Sequence, residues 1–296
     1  MLKRQVIDKG VHSGFLLIAL FSITVLSLIV LFLFKEGIPI FEYVSIKDFV
    51  LGQYWYPTDD PADFGIFPLI LGSVSVTLLS GIIAIPLGIM TAVYLAEIAP
   101  PKVAEIVKPI VELMASMPSV VIGFFGMVVV APFIQQLFNI PVGLNMFNAS
   151  LMLAFMSIPT ICSLSEDAIF CVPAALKEAS FALGATHFET IVKVIIPASL
   201  SGICTAVILG LSRAIGETMV VLMAAGGAAM IPGSIFDPVR PLPASIAAEM
   251  AEAPFGSEHY HALFAIGMVL FGFTFIFNLI ADYISYKFRQ VGEASL

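Results

Sequence analysis

Residues 113–165 read LMASMPSVVIGFFGMVVVAPFIQQLFNIPVGLNMFNASLMLAFMSIPTICSLS, without one Asp, Glu, Lys or Arg. A helix rising about 1.5 Å per residue crosses a hydrocarbon core of about 30 Å in about 20 residues. The stretch is too long for one crossing and is read as two, with Gln135, Gln136, Asn139 and Pro141 marking the turn between them. One span is expected over about Ala115–Phe133 and the next over about Asn148–Leu164.

Outward from this stretch the same rule finds four more spans. Towards the N-terminus they are Phe67–Val93, with Pro86 inside it, and Gly14–Phe34. Towards the C-terminus they are Leu200–Ala225 and Ala262–Ile284. Glu97 is expected to begin a short polar turn through Pro100 and Pro101. The first span is too long for a signal-peptide core and no small-x-small cleavage site follows it, so it is expected to stay as an anchor. The expected fold is therefore all-α, a polytopic membrane protein of six helices. We divide it into an N-terminal anchor helix with the first outer loop, residues 1–62, and a five-helix core, residues 63–296.

Composition agrees. Of 296 residues 59% are hydrophobic and 11% charged, against about 25% charged in ordinary soluble domains. With 13 Lys and Arg against 21 Asp and Glu, no basic surface is available to neutralise a phosphate backbone, which excludes a nucleic-acid partner. Cys162, Cys171 and Cys204 form no Cys-x-x-Cys pair or metal spacing and are read as apolar packing residues.

Orientation follows from where Lys and Arg fall. With the N-terminus inside, the inner segments hold Lys3, Arg4, Lys9, Lys102, Lys108, Lys177, Lys193, Lys287 and Arg289, and the outer loops only Lys35, Lys47 and Arg240. Both termini are expected to be cytoplasmic.

Two segments stand apart. The inner one, Glu166–Gly202, reads EDAIFCVPAALKEASFALGATHFETIVKVIIPASLSG, too polar to cross and too apolar for a plain linker. Two short helices are expected, Ala174–Leu183 and Thr186–Ile195, joined through Gly184 and closed by Pro197, since the residue before proline disfavours the α region. Such a hairpin suits docking; composition alone favours an amphipathic helix lying in the lipid interface. The second segment, Ser212–Gly226, reads SRAIGETMVVLMAAG and puts Arg213 and Glu217 inside a span. Charged residues there are costly and usually functional. Four apart, they are expected to share a helix face, either as a structural ion pair or as groups lining a passage, where a guanidinium fork suits a tetrahedral oxyanion.

Glu178, Ala179 and Ser180, then Gly184, then Val194, Ile196 and Pro197 resemble the inner-loop motif of ABC importer permeases, Glu-Ala-Ala, three residues, Gly, nine residues, Ile-x-Leu-Pro. Ser180, Val194 and Ile196 are mild departures. The resemblance implies a type I permease fold and a coupling loop, residues 166–197, docking on a separate ATPase. SRAIGETMVVLMAAG, with EGIPIF (36–41), FGIFPLILGSVSVT (64–77) and MPSVVIGFFG (117–126), is similar to the PstC-type permease subunits of phosphate importers over roughly residues 35–288. The PstA-type sister usually continues with Pro-Leu where Met219, Val220 and Val221 stand here.

That resemblance implies an ATP-driven importer of inorganic phosphate in a bacterial or archaeal inner membrane. Its partners would be a PstA-like subunit, two ATPase subunits, an external phosphate-binding protein and membrane lipid. The chain has no G-x-x-x-x-G-K-[ST] loop, so ATP would be used by the ATPase and this chain would hold no cofactor and no catalytic residue. Alternatives are another oxyanion permease or a stand-alone secondary transporter. The expected substrate path holds Arg213, Glu217 and, at the start of a span after Pro118, Ser119; the ATPase contact holds Glu178, Ala179, Ser180, Gly184 and Pro197. His259 and His261 lack further ligands for a metal, and Tyr54, Trp55 and Tyr56 are read as an interfacial aromatic anchor.

Overall fold

The computed structural model describes residues 2–288; Arg289, counted above among the inner cations, lies outside them. Six helical stretches among the described residues are long and apolar enough to cross a membrane: Val11–Glu42, Phe67–Ile98, Ser119–Phe138, Met146–Phe170, His187–Ile215 and Glu258–Ile284. Being even in number, they return the chain to the side from which it started.

In chain order, α1 (Leu2–Gly37) is followed by α2 (Ile46–Leu51) and a two-stranded hairpin, β1 (Trp55–Tyr56) with β2 (Asp63–Phe64). Next come α3 (Phe67–Val93), α4 (Pro101–Ser116), α5 (Ser119–Phe125), α6 (Ala131–Phe138) and α7 (Met146–Phe170). Then follow α8 (Ala174–Ala182), α9 (His187–Thr190), α10 (Ile196–Ile215), α11 (Met219–Ala224), α12 (Leu242–Glu249) and α13 (Glu258–Phe288).

Helices α3, α7 and α10 form the centre. Ile161 of α7 is fully buried where two glycines make room for it. A Cβ on Gly88 of α3 would stand 2.8 Å from its Cγ2, and one on Gly210 of α10 would stand 2.6 Å from its Cγ1. Small residues of this kind let helices approach closely in lipid, where packing rather than hydrophobic exclusion drives association. By contrast α1 packs mainly on α13, where Phe32 meets Phe264 edge-on. Most of its apolar side chains face outwards, as suits a lipid-exposed anchor.

Several span limits differ from the sequence reading. The third span starts at Ser119, not Ala115, because Met117, which precedes Pro118, is extended with ψ 132°. It runs on to Phe138 and ends on Asn139 in the left-handed region, φ 50°. The fourth reaches from an Asn145 cap to Phe170, taking Glu166 and Asp167 into its inner end. In place of a simple polar turn after Glu97, a π turn, Tyr94–Ile98, leads into amphipathic α4. The last span begins at Glu258.

Pro197 does not close the inner hairpin. A π turn, Ile191–Ile195, widens the backbone just before it, and the helix runs continuously from His187 to Ile215. The widening removes the clash that a proline ring makes with the carbonyl four residues earlier.

Candidate functional site

The second half of the fifth span is not one helix. Gly216–Thr218 are non-helical, and α11 starts afresh at Met219. Glycine and a β-branched threonine favour the interruption. The Glu217 side chain then holds it: Oε1 accepts from the amide N–H groups of Met219 at 3.2 Å and Val220 at 3.5 Å, capping α11.

Arg213 and Glu217 therefore do not share a helix face, and they form no ion pair. Arg213 is on the last turn of α10, exposed at the surface of the chain, with Nη1 3.5 Å from Thr160 Oγ1 of α7. Thr160, which sequence reasoning missed, follows Pro159 and has no pattern that would have marked it.

Helices α5 and α11 run side by side, each beginning at a break: Met117–Pro118 before one and Gly216–Thr218 before the other. Gly123 permits the contact, since a Cβ there would lie 3.1 Å from the Met219 carbonyl oxygen. Ser119, half-buried, is the first residue of α5. Asn148 of α7 is buried behind both helices. Its Nδ2 donates to the Gly126 carbonyl at 3.1 Å and to the Ala224 carbonyl at 3.4 Å, tying the third span, α7 and α11 together.

At the inner end the hairpin expected from sequence is present. Helix α8 ends at Gly184, φ +82°, with open space where a Cβ would stand. Thr186 and Glu189 close a capping box at the start of α9. Glu178 and Ala179 are exposed, as is Pro197, whereas Ser180 is buried against Thr190, hydroxyl to hydroxyl at 2.9 Å. Leu183, 89% exposed, and Phe188, 73% exposed, form an apolar tip that nothing among the described residues covers.

Two ion pairs flank the hairpin. Lys177 of α8 reaches Glu97 in the π turn after α3, and Lys108 of α4 reaches Glu166 of α7 at 3.2 Å. The hydrogen bond to Glu166 holds the Lys108 ammonium above its ordinary pKa, against a smaller opposing effect of burial.

On the outer side Trp55 is not an interfacial anchor. It is 2% exposed and packs in a buried cluster with Phe49, Phe64 and Leu242, where Nε1 donates to both oxygens of Glu249, at 3.1 and 3.0 Å. Alternation along β1 leaves Tyr56 outside. Glu249 also accepts from Arg240 and meets His259 Nε2 at 2.8 Å, while His261 Nδ1 lies 2.7 Å from the Glu36 carbonyl oxygen. No cluster of metal-ligating side chains occurs among the described residues.

Paired broken helices thus stand beside a packed trio of spans, with an exposed hairpin at one end, and similarity to known proteins places this arrangement among the permeases. The solved structure of a bacterial alginate ABC transporter with its pentasaccharide-bound periplasmic protein contains a chain of the same fold, at a TM-score of 0.63 and 16% identity, over 96% of this chain and 98% of that one. The chain belongs to the family of binding-protein-dependent transport system inner membrane components, whose model matches residues 84–290. It is 39% identical over 269 residues to a probable ABC transporter permease protein, YqgH, of Bacillus subtilis, covering 90% of this chain and 87% of that one. It is 34% identical over 254 residues to the phosphate transport system permease protein PstC of Mesorhizobium japonicum, covering 79% and 77%. The protein is a multi-pass inner-membrane permease subunit of an ABC importer.

Proposed function

We propose that the imported substrate is inorganic phosphate, and that this chain forms half of the passage in a bacterial or archaeal inner membrane. A PstA-like permease would form the other half, with two ATPase subunits inside and a phosphate-binding protein outside. Both termini are cytoplasmic in this reading, and hydrolysis belongs to the ATPase subunits.

The observation that carries the reading is the exposure of Arg213. A charged guanidinium on the outer surface of a membrane span is costly against lipid, so the surface that bears it favours a neighbouring subunit or a watery passage. Arg213 stands sixteen residues along continuous helix from Pro197, about 24 Å, which falls inside a ~30 Å core. With no carboxylate paired to it among the described residues, the guanidinium keeps its donors for an anion. The similarity to PstC proteins supports phosphate among the oxyanions.

The roles assigned to the residues follow from their chemistry. Arg213 supplies positive charge and a fork of donors. Glu217 spends Oε1 on the amides of α11, and its second oxygen accepts from the P–OH group that phosphate carries near neutral pH. Sulfate and molybdate have no such proton and are repelled. Ser119 adds a hydroxyl at the neighbouring break. On the inner side Glu178, Ala179, Gly184 and the apolar tip dock on the ATPase, with Ser180 holding the hairpin from within and Pro197 exposed on the helix that follows.

The test is ATP-dependent uptake of labelled phosphate by vesicles holding the assembled complex, with sulfate and molybdate as competitors. Phosphate uptake blocked by neither competitor supports the reading. Equal competition by sulfate makes the chain a general oxyanion permease, and uptake without ATP or an ATPase subunit makes it a secondary transporter.

A further inference from the structure

Helix α8 has little to hold it in place. It is nine residues long, shorter than helices that persist alone in water, and of its side chains only Ser180 is buried. Lys177 stands one turn before Ser180 on the same face. Helix α8 makes polar contacts to two spans: Ser180 meets Thr190 at the start of the fifth, and Lys177 reaches the end of the second through the ion pair with Glu97.

Glu97 is the better buried partner, with 8% of its side chain exposed against 25% for Lys177. Lys177 is its one ion-pair partner among the described residues. A carboxylate so buried is poorly tolerated alone, so separating α8 from it is costly. Glu97 also lies at a joint. It belongs to the π turn Tyr94–Ile98 that ends the second span, directly before Pro100, Pro101 and α4. Helix α4 leads in turn to the Met117–Pro118 break and Ser119. A second ion pair, Lys108–Glu166, fixes the middle of α4 to the inner end of α7.

We infer that Lys177 and Glu97 form the strut that carries movement of the docking hairpin to the joint between the second span and α4, and so to the broken entrance of the third span. Both are positioning residues: neither touches the substrate or the ATP. The inference rests on the reading of α8 as the surface that docks on the ATPase, and it adds the route by which docking is converted into opening. The pair acts as a link because it runs from α8 to the second span, while Glu178, Ala179 and Leu183 stay exposed for the ATPase.

The experiment compares assembled complexes in vesicles, reading the amount of ATPase subunit retained, ATP hydrolysed and labelled inorganic phosphate taken up. Lys177→Met and Glu97→Gln should each retain the ATPase subunit and go on hydrolysing ATP, while phosphate moved per ATP falls about tenfold, within the range of coupling between distant sites. Lys177→Arg and the exchanged pair Lys177→Glu with Glu97→Lys should recover most of that loss, which a double-mutant cycle isolates as pairwise interaction.

The inference is overturned if either single variant moves as much phosphate per ATP as the parent, if the singles lose the ATPase subunit, or if the exchanged pair does no better than the singles. Gly184→Trp in the same assay separates the two readings. Full coupling in that variant removes the docking assignment itself, whereas its failure beside unaffected Lys177 and Glu97 variants removes only the strut.

Discussion

Replacing Arg213 with Ala should stop transport without disturbing assembly, and the structure sets both magnitudes. The side chain is exposed, has no ion pair among the described residues, and makes one long contact, 3.5 Å, to Thr160. Its loss leaves no buried carboxylate stranded, so the stability change should stay within about 0.5 kcal/mol, as at ordinary surface sites. Transport is another matter. A hydrogen bond to a charged group contributes about 1.5–3 kcal/mol, and two unit charges about 4 Å apart at an effective dielectric of about 20 attract by ~4 kcal/mol. At about 1.4 kcal/mol per factor of ten, uptake should fall by about 10- to 10³-fold. Arg213→Lys, which keeps the charge but loses the fork, should lie between the two. The assay is initial ATP-driven uptake of labelled phosphate, normalised to complex recovered in a sizing column. Uptake within about twofold of the parent, or loss of the partner subunits from the Ala variant, refutes the reasoning. In the first case the guanidinium does not meet the anion; in the second it holds subunits together.

Glu217→Gln keeps an oxygen for the Met219 and Val220 amides, so the complex should remain folded while sulfate competes better and phosphate uptake changes less; unchanged selectivity would remove Glu217 from the discriminating role. Gly184→Trp should separate the ATPase or uncouple it, whereas Gly184→Asn, which tolerates the positive φ at this position, should retain both; subunit recovery after affinity purification reads the difference. An impermeant thiol reagent added to intact cells should label Phe255→Cys, on the highly exposed tip of the outer loop, and spare native Cys171 at the inner end of α7, with the reverse in inside-out vesicles. Glu249→Leu leaves the donors of Trp55, Arg240 and His259 without their acceptor, costing about 1–3 kcal/mol for each one that stays buried; the single tryptophan should report it as a shifted emission and a lower Tm.

The count of spans was legible because the absence of charge over about 20 residues is a strong signal. The inner hairpin was legible because its glycine and its capping residues, Thr186 and Glu189, act locally. What failed was whatever depended on distant neighbours. Arg213 and Glu217 sit at helical spacing, yet helical spacing assumes a helix, and Gly216 with the Glu217 cap ends it between them. Trp55 stands among aromatic neighbours in the loop between the first two spans, and the acceptor that answers its indole N–H is Glu249, 194 positions away. Lys177 and Glu97 are separated by 80 positions and carry no mark of one another.

Proline shows most clearly where local reading stops. Pro86, Pro109 and Pro159 lie inside α-helices, Pro118 and Pro173 stand just before helices, and Pro100, Pro132 and Pro197 each follow a π turn by two residues. The same ring, with the same missing donor, has three outcomes. Its surroundings decide, because a widened or broken turn leaves carbonyl groups that lipid cannot satisfy. Asn148 Nδ2 reaches the Gly126 carbonyl at the turn before Pro132, and Ser199 Oγ reaches the Ile195 carbonyl at 2.8 Å beside Pro197. A span can therefore be interrupted where a neighbouring polar side chain is already in place to answer it. The breaks that would serve transport, at Met117–Pro118 and Gly216–Thr218, differ from these widened turns. There the chain stops being helical and starts again, and the residues at the restart, Ser119 and Glu217, are the polar ones.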